Sequence, residues 1–173
     1  MPESDGLYNI KLTYTIADII RKITGSEIGM QNTFGIRRTL AAGQIDYSMV
    51  YEAMPFDNTV TTLKIQGKYL LKLLEHSLPP HKTQFAVFAG VTLQLNFAGK
   101  IIKALVNGKE LDPKREYTLA TINFLSSGGD GFDFSHASDI KDSNIPLPEF
   151  IKDQWLKNGI EVPANWQSIT LIK

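Results

Sequence analysis

The spacing of apolar residues changes along this chain, and that change constrains its fold more than any other feature. In "VTLQLNF" (91–97), Val91, Leu93, Leu95 and Phe97 fall on one side at a spacing of two, the pattern of a strand with one buried face. "KIIKALVNGKEL" (100–111) continues the strand signal. Its Asn107-Gly108 pair suits a two-residue hairpin, because both central residues of such a turn need positive φ. Elsewhere the period is helical. "TIADIIRKITG" (15–25) places Ile16, Ile19, Ile20 and Ile23 on one face, with Thr13 or Thr15 as a cap and Gly25 as a stop. "GKYLLKLLEHSL" (67–78) predicts a second helix, ended by Pro79-Pro80. "DYSMVYEAM" (46–54) predicts a short helix capped by Asp46, and "LPEFIKDQWLKNG" (147–159) a final one with a glycine stop.

The remaining strand signals are "EIGMQN" (27–32), "NTVTTLKIQG" (58–67), "EYTLATINF" (116–124) and "SITLI" (168–172). Helices and strands mix without strict alternation. The expected class is therefore α+β, with a mixed, mainly antiparallel sheet and helices packed on it. The polar stretch Ser135–Ile145 is expected to be a surface connection. No linker divides the chain, so residues 1–173 are read as one domain.

Composition removes several classes of function. The chain has no cysteine, which excludes thiol catalysis, disulfides and thiolate metal sites. Its formal net charge is zero, so no long-range field draws in nucleic acid polymers or anionic membranes. No apolar run reaches the length of a membrane span. "MPESDGLYNI" lacks the basic and apolar segments of a signal peptide, so an export signal is expected outside this chain. Of three histidines, His76 and His81 flank the double proline and lack the helical i, i+4 spacing of paired zinc ligands, and His136 stands apart. Neither a G-x-S-x-G elbow nor a P-loop is present. The sequence holds no complete catalytic set, and no metal or cofactor is expected in it.

Binding is better represented. "QNTFGIRR" (31–38) follows a buried strand, where a guanidinium can fork onto a carboxylate or phosphate. "PFDNT" (55–59) puts Phe56 between a helix and a strand. "NFLSSGGDGFDF" (123–134) sets a glycine-rich loop between aromatic rings, and its glycines let backbone approach a ligand closely. Asp130 in that loop can accept from a hydroxyl or cap a turn.

The order N-x-x-G-I-R, then P-F, then N-F-L-x-x-G-G-D-G-F resembles the C-terminal, substrate-binding domain of the 5'-nucleotidase family. That family includes ecto-5'-nucleotidase, the periplasmic UDP-sugar hydrolase and 2',3'-cyclic-nucleotide phosphodiesterases. The resemblance implies a nucleotide or nucleoside ligand, with the base clamped between Phe56 and Phe124. It also implies that Asn32 and Arg37 touch the nucleoside and phosphate, that Asp130 accepts from the ribose hydroxyls, and that Gly90 offers a backbone contact near the base. Phe132 and Phe134 are expected to anchor the loop in the core.

The resemblance further implies an N-terminal metallophosphatase domain in cis, holding a divalent metal pair through D-x-H, N-H-[DE] and H-x-H motifs that do not occur here. The parent protein would then be a phosphoric ester hydrolase of nucleotide catabolism, periplasmic, at the cell surface or secreted. This chain alone would be non-catalytic. Two departures support an alternative, a binding or interaction domain that keeps the fold but has lost the nucleotide. Tyr8 stands where the family's first helix often carries Arg, and Thr33-Phe34 replace small residues after Asn32.

Overall fold

The computed structural model describes residues 6–40, 46–78, 86–159, 163–164 and 169–172, the side chains of 6–9 and 158 excepted. The chain runs α1 (Gly6–Thr24), β1 (Ile28–Asn32), a 3-10 turn (Thr33–Gly35), α2 (Tyr47–Ala53), β2 (Thr59–Gln66), α3 (Gly67–Ser77), β3 (Ala86–Ala89), β4 (Val91–Leu95), β5 (Ile101–Val106), β6 (Lys109–Glu110), β7 (Glu116–Ile122), α4 (Asn123–Ser126), a second 3-10 turn (Gly129–Gly131), β8 (Ser138–Pro146), α5 (Leu147–Asn158) and β9 (Ile169–Leu171). This is the expected α+β architecture, but the strands form two sheets. One has the order β3-β1-β7-β2-β8 and the other β6-β5-β4-β9. Only the β1–β7 and β4–β9 pairs are parallel among the described residues.

Helix α1 crosses one face of the larger sheet because its apolar stripe has nowhere else to go. Ile16 and Ile20 are fully buried, while Ile23 at its end is 42% exposed. The helix lies so close to β1 that a Cβ at Gly29 would stand 1.9 Å from the Ala17 carbonyl oxygen, so glycine is what permits this contact. One apolar cluster joins both sheets, from Ile28, Leu63 and Leu119 in the larger to Val91, Leu93 and Val106 in the smaller. The hairpin between β5 and β6 turns through Asn107 (φ 48) and Gly108 (φ 79), as the dipeptide predicts. Asp46 caps α2 by accepting from the Met49 N–H at 3.0 Å, and Gly159 (φ 69) follows α5.

Several sequence expectations need correction. Thr13 and Thr15 do not cap α1: both lie buried inside it, and the Thr15 hydroxyl donates to the Lys11 carbonyl. Phe97 leaves the face shared by Val91, Leu93 and Leu95, because the β4–β5 register shifts between Gln94 and Leu95 and the strand then ends; Phe97 is 73% exposed. Ser135–Ile145 is not simply a connection. Most of it is β8, an edge strand paired with β2 through two irregularities. Strand β3 has no counterpart among the sequence expectations; its four residues are all buried, so it has no alternation to read. Pro79, Pro80 and His81 lie outside the described residues.

Candidate functional site

Strand direction gathers the sequence motifs at one edge of the larger sheet. β1 runs parallel to β7, with Ile28 opposite Leu119 and Gly29 opposite Ala120, so Asn32 and Asn123 leave the sheet together. β2 runs antiparallel to β7, with Val60 opposite Ile122, so the residues before Val60 emerge at the same edge. Phe56 therefore comes to the side of the molecule that carries Phe124. Two hydrogen bonds fix this meeting. The Asn123 side-chain oxygen accepts from the Thr59 N–H at 3.2 Å and from the Phe124 N–H at 2.8 Å. The Arg37 N–H donates to the Ala53 carbonyl at 2.8 Å, which ties the turn after β1 to the end of α2, three residues before Phe56.

Asn32 and Asp130 meet directly across 98 residues of sequence. The Asn32 amide nitrogen donates to one Asp130 carboxylate oxygen at 2.7 Å. Asn32 is only 4% exposed, and its own oxygen accepts from the Gln31 amide at 3.1 Å. Gly35 makes room for this arrangement, since a Cβ there would lie 2.4 Å from the Asn32 side-chain oxygen. Asp130 is held in a left-handed conformation (φ 54, ψ 19) between Gly128 (φ 95) and Gly131 (φ 77). Its main-chain carbonyl lies 2.9 Å from His76 Nε2 on α3. Its other carboxylate oxygen has no hydrogen bond among the described residues, and Asp130 is exposed.

The two phenylalanines at this edge are not core residues. Phe56 is 45% exposed and Phe124 43%, whereas Phe132 and Phe134 are buried and anchor the loop. Gly129 packs against Phe124 so tightly that a Cβ would lie 2.5 Å from the ring and 2.5 Å from the Phe124 carbonyl. One side of the Phe124 ring is thus backed by loop backbone. Arg37 is exposed, and its guanidinium has no ion pair among the described residues. Arg38 is different: it bridges to Glu52 at 2.5 Å, which neutralises its charge. Thr33 and Phe34 lie in the 3-10 turn, where Phe34 is about half exposed, and the Tyr8 side chain lies outside the described residues.

Gly90 is not brought to this edge. It follows Ala89, which pairs with Gly29, whereas Asn32 pairs with Ala86 at the other end of β3. Four residues of strand separate the two levels, about 13 Å at the rise of an extended chain. Gly90 has φ 86, and a Cβ there would lie 2.5 Å from the Glu27 carbonyl oxygen. Its demand for glycine comes from that turn. The contacts of Asn123 with Thr59 and of His76 with Asp130 have no counterpart among the sequence expectations, because those partners lie elsewhere in the chain.

Two other polar hollows among the described residues are internally neutralised. A cleft of about 170 Å³ between α1 and α5 is lined by Thr15, Asp18, Lys22 and Gln154, but Asp18 is held by Arg21 and Lys22, each at 2.7 Å. A second, of about 150 Å³, contains Lys64 and Lys141, and both engage Asp139. Among the described residues, no three His, Asp or Glu side chains come together as a metal-binding group.

Comparison with known proteins converges on one family. Residues 9–137 match the family described as 5'-nucleotidase, C-terminal domain. Protein UshA of Escherichia coli strain K12 is 32% identical over 111 residues, 63% of this chain and 20% of that protein. An apyrase of Tabanus yao is 31% identical over 127 residues, 63% of this chain and 23% of that protein. The chain thus spans about a fifth of the length of these curated relatives. A 5'-nucleotidase precursor from Thermus thermophilus shares the fold, with a TM-score of 0.81 over 94% of this chain and 35% of that one, at 24% identity.

Proposed function

This chain belongs to the 5'-nucleotidase C-terminal domain family, and from that premise we propose that it recognises a nucleoside or nucleotide for a phosphohydrolase whose chemistry lies elsewhere. The base stacks between Phe56 and Phe124. The vicinal ribose hydroxyls donate to the unpartnered oxygen of Asp130, and Arg37 meets the phosphate. The observation that carries this reading is the Asn32–Asp130 hydrogen bond at the same sheet edge as two exposed phenylalanines. A buried amide holds an exposed carboxylate, while a glycine packs against the neighbouring aromatic ring. Such a site supplies stacking, a diol acceptor and a cation, which are the three chemistries of a nucleotide. Gly90 is left out of it.

A carboxylate beside a sugar and a guanidinium at an open edge bind and orient; neither attacks phosphorus. Hydrolysis would therefore belong to a catalytic domain joined in cis, which would also hold the divalent metal pair. We place the whole protein in nucleotide breakdown at the cell surface, in the periplasm or outside the cell. No helix among the described residues is long and apolar enough to cross a membrane.

Separate truncations test the assigned roles. Arg37→Ala should weaken AMP more than adenosine, and Asp130→Ala should weaken adenosine more than 2',3'-dideoxyadenosine. Hydrogen bonds to charged groups contribute about 1.5–3 kcal/mol, so each selective loss should be roughly tenfold or more. Equal losses for all ligands would show that both residues act through folding.

A further inference from the structure

We infer that His76 is a positioning residue for sugar recognition, and that it acts through the main chain of Asp130. This rests on the ribose role given to Asp130 above. The contact runs from α3 to the glycine loop, with His76 Nε2 2.9 Å from the Asp130 carbonyl oxygen. A carbonyl oxygen only accepts, so Nε2 must carry the proton, as it does in one neutral tautomer and in the imidazolium. The same ring meets Phe132 edge-on, with centroids 4.6 Å apart and planes at 78°. A Cβ at Gly131 would lie 3.4 Å from the imidazole, so the loop closes directly over it.

The mechanical consequence follows from the backbone. Asp130 is a non-glycine residue at φ 54, a left-handed conformation that aspartate tolerates better than most residues but that its surroundings still help to hold. Two tethers do so. Asn32 fixes the carboxylate at 2.7 Å, and His76 fixes the carbonyl of the same residue. With both ends pinned, the free carboxylate oxygen has one direction, and the sugar meets a preorganised acceptor. Without the His76 tether the peptide after Asp130 can rotate, and the carboxylate must be ordered again for each ligand. The weak 3-10 bonds within the loop, Gly131 N–H to Gly128 and Phe132 N–H to Gly129, both at 3.2 Å, report whether that order is kept.

Two substitutions separate the hydrogen bond from ring packing. His76→Phe keeps a ring on Phe132 and removes the donor. His76→Gln removes the ring and places an amide N–H at a similar reach. A single neutral hydrogen bond contributes about 0.5–1.5 kcal/mol, so His76→Phe should weaken adenosine roughly two- to tenfold and leave 2',3'-dideoxyadenosine unchanged. His76→Gln should restore adenosine affinity. In ligand-free protein, amide hydrogen exchange at Gly131 and Phe132 should accelerate in the Phe variant and return to wild-type rates in the Gln variant. Wild-type exchange and riboside selectivity in His76→Phe, or equal defects in both variants, would overturn the inference. If wild-type protein binds no adenosine, the nucleoside reading falls, and the exchange rates still decide whether His76 orders the loop.

Discussion

The two ends of the larger sheet use the same residue types to opposite effect. At the end where β1 begins, polar groups satisfy one another. Glu27 bridges to Arg115 and accepts from the Thr118 N–H, while its main-chain carbonyl accepts from the Asn107 amide. Gly90 turns there against the Glu27 carbonyl. At the end where β1 finishes, the polar groups support one another but stop short of closing the surface. Asn32 holds Asp130, Asn123 joins the two loops, and Phe56, Phe124 and Arg37 remain exposed. The first end is a closed structural joint. The second is an open surface, and it is the one to which we assign ligand binding.

Substitutions should separate the two ends by observable. The largest effect belongs to the loop's anchor. Phe132→Ala opens a cavity in the core and should cost about 3–5 kcal/mol of stability, read as a lowered denaturation midpoint. A loss as small as that of a surface residue would mean that the loop is not anchored through this ring. Next, Gly90→Ala forces a side chain into φ 86 and against the Glu27 carbonyl. It should destabilise the fold by about 1–3 kcal/mol while leaving nucleoside affinity intact wherever the protein stays folded. A selective loss of base binding would return Gly90 to the site.

The smallest effect lies at the α2 cap, which orients the approach to Phe56. The Asp46 carboxyl is held below its usual range, first by the Ser48 hydroxyl and then by the Met49 N–H. A depressed carboxyl pKa stabilises the fold above its unfolded value of about 3.9 and loses that contribution as pH falls through the folded value. Asp46→Asn keeps a side-chain acceptor for the cap but should flatten the stability profile slightly in this acid range. An unchanged profile would show that the cap is not coupled to folding.

The sequence revealed periodic elements well and long-range partners poorly, for physical reasons. α3 is legible because one face is apolar and buried and the other is not. Strand β8 is exposed along nearly all of its length, so no face is marked; it exists because β2 offers it an edge. Phe56 and Phe124 are singled out by their motifs, and both lie exposed rather than in the core. Gly90 lies at the other end of the sheet, and in the sequence a glycine needed for positive φ looks like one that admits a ligand. His76 and Asn123 leave no local signal, since their meaning lies in Asp130, 54 residues away, and Thr59, 64 residues away.

The central claim is that the open edge is a base clamp. Calorimetric titration of adenosine against wild type, Phe56→Ala and Phe124→Ala, with a thermal melt of each, tests it most directly. Base–aromatic stacking contributes about 1–3 kcal/mol per face, so either substitution should weaken binding roughly five- to a hundredfold. Because both rings are nearly half exposed, neither should shift the melting temperature as much as Phe132→Ala should. Unchanged affinity in both variants, or melting temperatures that fall with affinity, would contradict the clamp.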